Sequence, residues 1–208
     1  MKIYPMALGP VGTNCYVLSV GNRAVVVDPA GEPKKILNYL ANHKLVVEAI
    51  LLTHGHFDHI GAVNEVIEKF PVPVFSHKRE LEYFNNPDVN LSSHFGAAYV
   101  LDAGTDYRWI GEGDSIEVLG QPVSINHVPG HTPGSITFHF KEQGVIFTGD
   151  TLFQGSMGRT DLIYGNHELL HHGIKTKLLT LPPQTVAYSG HGGATTIEAE
   201  LGNNRFFA

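Results

Sequence analysis

Three histidines and one aspartate lie within six residues of each other, directly after an apolar run. Residues 54–59 have the sequence HGHFDH, and they follow the apolar residues 49–52. Core packing does not require so many imidazoles in one place, whereas a metal ion does, because imidazole and carboxylate are common metal ligands in proteins. The segment therefore predicts a metal site in the loop that leaves a buried strand.

The spacing within this segment indicates how its side chains are directed. His54 and His56 are two residues apart, so they point the same way from an extended backbone but would diverge on a helix. Gly55 between them permits a tight turn. Apolar residues at helical spacing follow, which places Asp58 and His59 at the start of a helix. One loop thus offers two pairs of ligands in two directions, and this favours two metal ions over one.

Three further candidate ligands stand at the ends of apolar runs. His131 lies between glycine and proline residues, Asp150 ends an apolar run, and His191 is bracketed by glycines. A rigid strand that ends in an accessible loop suits a chemical site.

Together the candidates make up two ligand sets with one shared carboxylate. The predicted arrangement is His54, His56 and His131 around one ion, Asp58, His59 and His191 around the other, and Asp150 bridging both. Such sets leave room for water, as in catalytic zinc sites. Zinc is the favoured metal, and iron or manganese also suit these ligands. The non-enzymatic alternative, a closed structural zinc site, favours cysteine-rich ligand sets.

Alternating strand and helix patterns predict one domain over residues 1–208. Strands are predicted within 1–28 and at 46–53, 72–75, 115–119, 123–127, 136–140, 145–148 and 186–188, and helices at 33–43, 166–179 and 195–201. Residues 77–106 show no period, and we expect them to shape the rim of the site. The order of elements predicts two mixed sheets packed face to face with helices outside.

Charge and cysteine usage restrict the partners. The formal net charge is −6 and no lysine or arginine cluster occurs, which argues against a nucleic-acid surface. No apolar run is long enough to cross a membrane. The single Cys15 excludes an intrachain disulfide framework and is predicted to be buried. Since the N-terminal residues also lack the features of a signal peptide, we expect a cytoplasmic protein with a small-molecule substrate; its oligomeric state is not predicted.

Asp28 has two interpretations. It ends a predicted strand and precedes Pro29 and Gly31, which is typical of a turn. Alternatively, its carboxylate accepts a hydrogen bond from the far nitrogen of a metal-bound histidine and so orients that ring.

These motifs resemble the metallo-β-lactamase superfamily. The matching features are the loop 54–59, the Asp28 turn and the later His131, Asp150 and His191. The resemblance implies an α/β (α+β) fold, a four-layer αββα sandwich with the metals at one edge between the sheets. Further similarity, in the sequences PGHTPG, GDTLF and GSMGRTD, is to the short bacterial, glyoxalase-II-like (hydroxyacylglutathione hydrolase-like) branch.

That branch implies a thioesterase acting on S-lactoylglutathione or a related thioester. A hydroxide shared by two metal ions would attack the carbonyl, with Asp58 and Asp150 as the catalytic carboxylates. The C-terminal helical substrate domain of full-length glyoxalase II is not expected here. Arg159 either binds a substrate carboxylate or pairs with Asp161, and Tyr164 either binds substrate or is a rim or core residue.

Two other activities resemble this pattern less well. A persulfide dioxygenase shares these loops but uses a single iron and part of the ligand set. The zinc β-lactamases commonly place a cysteine in the second metal site, and Cys15 is far from every ligand loop.

Overall fold

In the computed structural model, which describes residues 1–207, the N-terminal half forms one mixed sheet. Its strands are β1 (Lys2–Leu8), β2 (Thr13–Val20), β3 (Arg23–Val27), β4 (Val46–Leu51), β5 (Val74–Ser76) and β6 (Tyr107–Trp109), in chain order across the sheet. The first three strands are antiparallel and the last four are parallel. Helices or long segments connect the parallel strands, as such pairs require.

The C-terminal half forms the second sheet. Its strands are β7 (Ser115–Val118), β8 (Gln121–His127), β9 (Ile136–Phe140), β10 (Val145–Gly149), β13 (Val186–Ser189) and β14 (Thr195–Thr196), in the order β14-β13-β10-β9-β8-β7. Two further short strands, β11 (Leu152–Phe153) and β12 (Ser156–Met157), pair with each other. β9 runs antiparallel to both β8 and β10, and β13 runs parallel to β10. β8, β10 and β13 therefore all end at the same edge of the sheet.

Within residues 1–207, six α-helices lie outside the sheets. They are α1 (Pro33–Asn42), α2 (Phe57–Ile60), α3 (Val63–Lys69), α4 (Leu81–Asn85), α5 (His167–Gly173) and α6 (Ile197–Asn203). Short 3-10 turns occur at Lys78–Glu80, Ser92–Phe95 and Lys141–Gln143, and α5 continues as a π-helical turn over Ile174–Leu178. Among the described residues, no helix combines the length and apolar character needed to cross a membrane.

Three apolar layers separate the four structural layers. In β3, Val26 packs toward α1 and α3, whereas Val25 and Val27 face the second sheet. This alternation follows from the two-residue repeat of a strand. In β10, Ile146 packs in the third layer with the buried face of α5, and Phe147 packs between the sheets. The predicted αββα sandwich is confirmed.

Two predicted helices differ in part from the structure. The helix predicted at 166–179 is α5 followed by the π-helical turn, and the helix predicted at 195–201 begins with the two residues of β14. β14 forms because Thr195 and Thr196 pair with β13, a tertiary contact that local spacing does not show. β6, β11 and β12 were not predicted.

The segment 77–106 is held by side-chain to backbone hydrogen bonds rather than by a repeating pattern. The buried Asn90 amide donates to the carbonyl oxygens of Tyr83 and Tyr99, both at 2.8 Å. The backbone carbonyl oxygen of Asn90 accepts a hydrogen bond from the backbone N–H of Phe57 at 3.0 Å. Since Phe57 lies in the predicted ligand loop, the segment contacts that loop directly.

Candidate metal centre

The loop after β4 brings His54, His56 and His59 into one buried place. All three are at most 3% exposed. The strand ends at Leu51, and α2 begins at Phe57 and carries Asp58 and His59. The ring centroids of His54 and His56 lie 4.9 Å apart, and those of His54 and His59 lie 4.0 Å apart.

The second sheet supplies the other three residues. His131, Asp150 and His191 follow β8, β10 and β13, whose ends lie at one edge. The two sheets are joined there, because the Ile136 N–H donates to the Thr53 carbonyl oxygen at 2.9 Å. The structure therefore brings all seven predicted ligands to one site.

The potential ligand atoms form three groups that overlap. The first group comprises His54, His56 and His131, the second group comprises Asp58, His59 and His191, and a third group, His54, His59 and Asp150, takes one histidine from each of these. Within each group the ligand atoms lie within 4.8 Å of one another. The remaining histidines in residues 1–207 take no part in these groups.

Asp150 lies between the two groups. Its Oδ2 is 3.6 Å from His131 Nε2 in the first group and 3.4 Å from His191 Nε2 in the second. Its Oδ1 is 3.2 Å from His59 Nε2. Asp150, which shares the third group with His54 and His59, is thus within reach of both the first and the second group.

Unpartnered buried atoms show that the site fits metal ions. The Nε2 atoms of His54, His56 and His59 and Oδ1 of Asp150 are buried without a hydrogen-bond partner. Buried polar atoms in folded proteins are normally satisfied. Imidazole nitrogens and carboxylate oxygens are also the ligands that zinc, iron and manganese use.

The first group is electrically neutral. Burial, with the neighbouring imidazoles, holds the pKa of His54 well below its usual range and lowers the pKa of His56 to about 3. Burial also lowers the pKa of His131, although Asp150 acts in the opposite direction. Neutral imidazole is the form that binds a metal.

The second group is charged. Burial alone would raise the pKa of Asp58, but His59 and hydrogen bonds from His191 and Thr13 lower it to about 2. Burial likewise opposes the charge on His191, yet hydrogen bonds to Asp150 and Asp58 raise its pKa to about 9. The ionised carboxylates thus stabilise positive charge on the neighbouring imidazole. Bound metal cations would supply this positive charge instead.

Asp28 orients His59. Its Oδ2 accepts hydrogen bonds from His59 Nδ1 at 2.9 Å and from the Thr53 hydroxyl at 2.7 Å, and its Oδ1 accepts the Thr53 N–H at 2.8 Å. Asp28 also closes the turn after β3, with a left-handed φ of 46°. The structure therefore shows both roles considered for Asp28, as a turn residue and as the residue that orients a histidine. A carboxylate on Nδ1 leaves Nε2 of the ring for the metal.

Other ligands are held in the same way by contacts that the sequence did not indicate. The Thr13 hydroxyl donates to Asp58 Oδ2 at 2.6 Å. His131 Nδ1 donates to the carbonyl oxygen of Arg159 at 2.8 Å. Neither contact has a local signal, because each joins residues far apart in the chain.

Arg159 and Tyr164 lie outside the cluster. The Arg159 guanidinium forms two hydrogen bonds to the Asp161 carboxylate, at 2.7 and 2.8 Å. Tyr164 is 56% exposed, and its hydroxyl lies 3.4 Å from a carboxylate oxygen of Glu82. Of the two interpretations of Arg159, the geometry shows the ion pair.

The family follows from the whole set of motifs. The model of the metallo-β-lactamase superfamily matches residues 8–191. The chain belongs to this superfamily.

Two superfamily relatives cover most of the chain. The probable metallo-hydrolase YqgX of Bacillus subtilis (strain 168) is 40% identical over 206 residues, which is 99% of this chain and 97% of YqgX. The hydroxyacylglutathione hydrolase GloC of Haemophilus influenzae is 38% identical over 184 residues, which is 88% of this chain and 86% of GloC.

Solved superfamily structures show the same fold. The BLEG-1 B3 metallo-β-lactamase has 40% identity and a TM-score of 0.94, covering 99% of both chains. TTHA1623 in a di-iron-bound form has 36% identity and a TM-score of 0.88, covering 98% of this chain and 99% of its own. ETHE1 from Myxococcus xanthus has 25% identity and a TM-score of 0.80, covering 99% of this chain and 84% of its own.

Proposed function

We propose that this superfamily member is a binuclear metallohydrolase that cleaves a thioester such as S-lactoylglutathione. The observation that carries the proposal is the presence of two three-residue ligand groups with Asp150 between them, in a third group with one histidine from each. The similarity to a hydroxyacylglutathione hydrolase supports the thioester, and the similarity to a probable metallo-hydrolase supports hydrolysis.

The proposed metal ligands are the seven clustered residues. His54, His56 and His131 would hold one ion, Asp58, His59 and His191 the other, and Asp150 both. Two bound divalent ions supply an activated water at neutral pH and polarise the carbonyl of the substrate. Zinc is the proposed metal, and iron is the alternative that the di-iron form of TTHA1623 supports.

Asp58 and Asp150 are the proposed catalytic carboxylates. Both converge on His191, with carboxylate oxygens 3.3 and 3.4 Å from its Nε2. Thr13 holds Asp58 in this position through its hydroxyl. Carboxylates held in this way orient an attacking water by accepting its hydrogens.

A thioester suits a site without a separate proton donor. A thiolate leaves without protonation more readily than an amine does, because a thiol is the stronger acid. Departure of the thiolate therefore requires no proton donor in addition to the metal ligands. A small-molecule substrate and a cytoplasmic location belong to the same proposal, and the single buried Cys15 supports the location.

The test combines elemental analysis of the purified protein with a substrate panel. We expect two metal ions per chain, and hydrolysis of S-lactoylglutathione or another thioester at a rate at least about 100-fold above that for a phosphodiester or a β-lactam. One ion per chain, or no thioester cleavage, would contradict the proposal.

A second candidate is β-lactam hydrolysis. It is favoured by the similarity to BLEG-1, which is named a B3 metallo-β-lactamase. In the sequence, the absence of a cysteine ligand argued against β-lactam hydrolysis. The 40% identity to a protein named a B3 metallo-β-lactamase weakens that argument. A rate on a β-lactam above the rates on thioesters would select this candidate.

Persulfide oxidation is distinguished by its stoichiometry. The similarity to ETHE1 from Myxococcus xanthus is the reason to test this alternative as well. A single iron per chain, together with oxygen uptake on addition of a persulfide, would support it.

A further inference from the structure

Glu80 is a buried carboxylate that lies behind two of the ligand loops. It ends the 3-10 turn Lys78–Glu80 and is 0% exposed. Glutamate is almost never fully buried unless it is paired. Its place in the sequence KRE is typical of a solvent-facing turn, so the sequence did not indicate it.

The two oxygens of Glu80 accept hydrogen bonds from different loops. Oε2 accepts the N–H of Gly55 at 2.7 Å. Oε1 accepts the N–H of Gly134 at 2.6 Å and the hydroxyl of Thr132 at 2.8 Å. Burial raises the pKa of Glu80 to about 7, although these three hydrogen bonds act to lower it.

Both loops carry ligands of the first group. Gly55 stands between His54 and His56, and His131 lies in the second loop, residues 128–135, between β8 and β9. The Nδ1 atom of His56 and the Nε2 atom of His131 lie only 2.9 Å apart. The distance between the loops therefore decides whether the three imidazoles meet.

The loops pack directly against the carboxylate. A Cβ atom at Gly134 would lie 2.6 Å from Glu80 Oε1, and one at Gly55 would lie 3.1 Å from Glu80 Oε2 and 2.5 Å from the Cβ of Tyr83. Glycine is required at both positions by this close approach. Glu80 thus fills the space next to these two glycines, which have no side chains.

We propose that Glu80 is a positioning residue for the first metal position, because its carboxylate joins the loops that carry His54, His56 and His131. The role rests on the metal ligands of the proposed function, but it does not depend on the substrate. It concerns the geometry and the affinity of the first group.

The test is Glu80→Gln, measured with Zn²⁺ and with Co²⁺. Glutamine has the same size, but its amide nitrogen donates and so opposes the N–H of one loop. We expect metal affinity to fall about 10- to 100-fold, as for other residues that support ligands. The Co²⁺ absorption spectrum should also change, because it reports the ligand geometry.

Glu200→Gln is the matched control. Glu200 is 2% exposed and also accepts three hydrogen bonds, from the Gly155 N–H, the Thr195 hydroxyl and the Asn204 amide. We expect both variants to lower Tm and only Glu80→Gln to change the affinity and the spectrum. Wild-type affinity and spectrum in Glu80→Gln, or equal changes in the two variants, would overturn the proposal.

Thr132→Val decides the question if Glu80→Gln does not fold. It removes one of the three donors to Glu80 and preserves the side-chain size. We expect a smaller loss of affinity with a change in the Co²⁺ spectrum, and no change in either would overturn the proposal. Since neither readout uses a substrate, a failed thioester assay leaves this result unaffected.

Discussion

The two ligand groups differ in charge and in access. The first group consists of three neutral imidazoles, and the side chain of His131 is only 3% exposed. The second group contains the Asp58 carboxylate, and the side chain of His191 is 31% exposed. The first position is therefore enclosed by protein, whereas the second is open on one side.

From this difference we expect a different role for each position. An enclosed site made of neutral ligands suits an ion that is retained and keeps its geometry. A site with an anionic ligand and an exposed imidazole suits the place where substrate enters and product leaves. Asp150 belongs to neither group alone, so it couples the two.

Asp150→Ala should have the largest effect, because it removes the one residue that serves both groups. We expect hydrolysis to fall by about three orders of magnitude, since metal-ion catalysis contributes several kcal/mol. Elemental analysis should show less bound metal. The control is Asp106→Asn, which changes an exposed acid paired with Arg108. An unchanged rate in Asp150→Ala would rule out the bridging role.

His56→Ala and His191→Ala separate the two positions. Each should leave about one ion per chain and lower the rate by more than about 100-fold, the upper end of the effect of residues that only support ligands. The ion that remains in His56→Ala sits in the open group, so a chelator should remove it faster than the ion that remains in His191→Ala. Equal rates of removal would contradict the proposed difference in access.

Asp28→Asn should weaken the second group selectively. Asparagine keeps the size and tolerates the left-handed backbone at this position, but its amide removes one acceptor from His59 and Thr53. We expect about 10- to 100-fold weaker binding of one of the two ions. A competition titration with a chelator measures this, and equal weakening of both ions would contradict the assignment of Asp28 to the second group.

His77 and His127 provide a reference outside the site and the smallest expected effect. Their rings stack with centroids 4.3 Å apart. Burial, followed by the charges of His127 and Arg79, lowers the pKa of His77 from 6.5 to about 4. Between pH 4 and pH 6.5 the unfolded chain therefore binds more protons at His77 than the folded chain does. The contribution of neutral His77 to the free energy of unfolding is thus fully present above pH 6.5 and is lost as the pH falls through about 4.

His77→Asn tests this sign. Asparagine can still accept the N–H of Arg79, which His77 Nδ1 accepts at 3.2 Å. We expect the free energy of unfolding to rise less steeply from pH 4 to 6.5 than in the wild type, as measured by urea denaturation. His43→Asn, at the exposed end of α1, is the control. A steeper rise in His77→Asn would contradict the pKa shift.

Much of the fold follows from local patterns. The apolar run of β3 and the helical spacing of Ile36 and Leu40 depend only on neighbouring residues, so a strand and a helix could be predicted there, whereas the αββα sandwich came from the family resemblance. The candidate ligands were also visible, because polar residues at the ends of apolar runs are conspicuous. The β14 strand and the π-helical turn were not, since tertiary pairing and packing decide them.

The sequence by itself determined the kinds of ligand and their positions at the ends of strands. Only the tertiary structure decided that β8, β10 and β13 point the same way and so bring His131, Asp150 and His191 to His54. It also showed that Asp28 supports His59, which the sequence left as one of two interpretations, and that Glu80 supports two ligand loops, because both residues act on loops that lie 25 or more residues away. Strand pairing and burial bring such distant residues into contact, and the periodicity of a single segment does not predict these contacts.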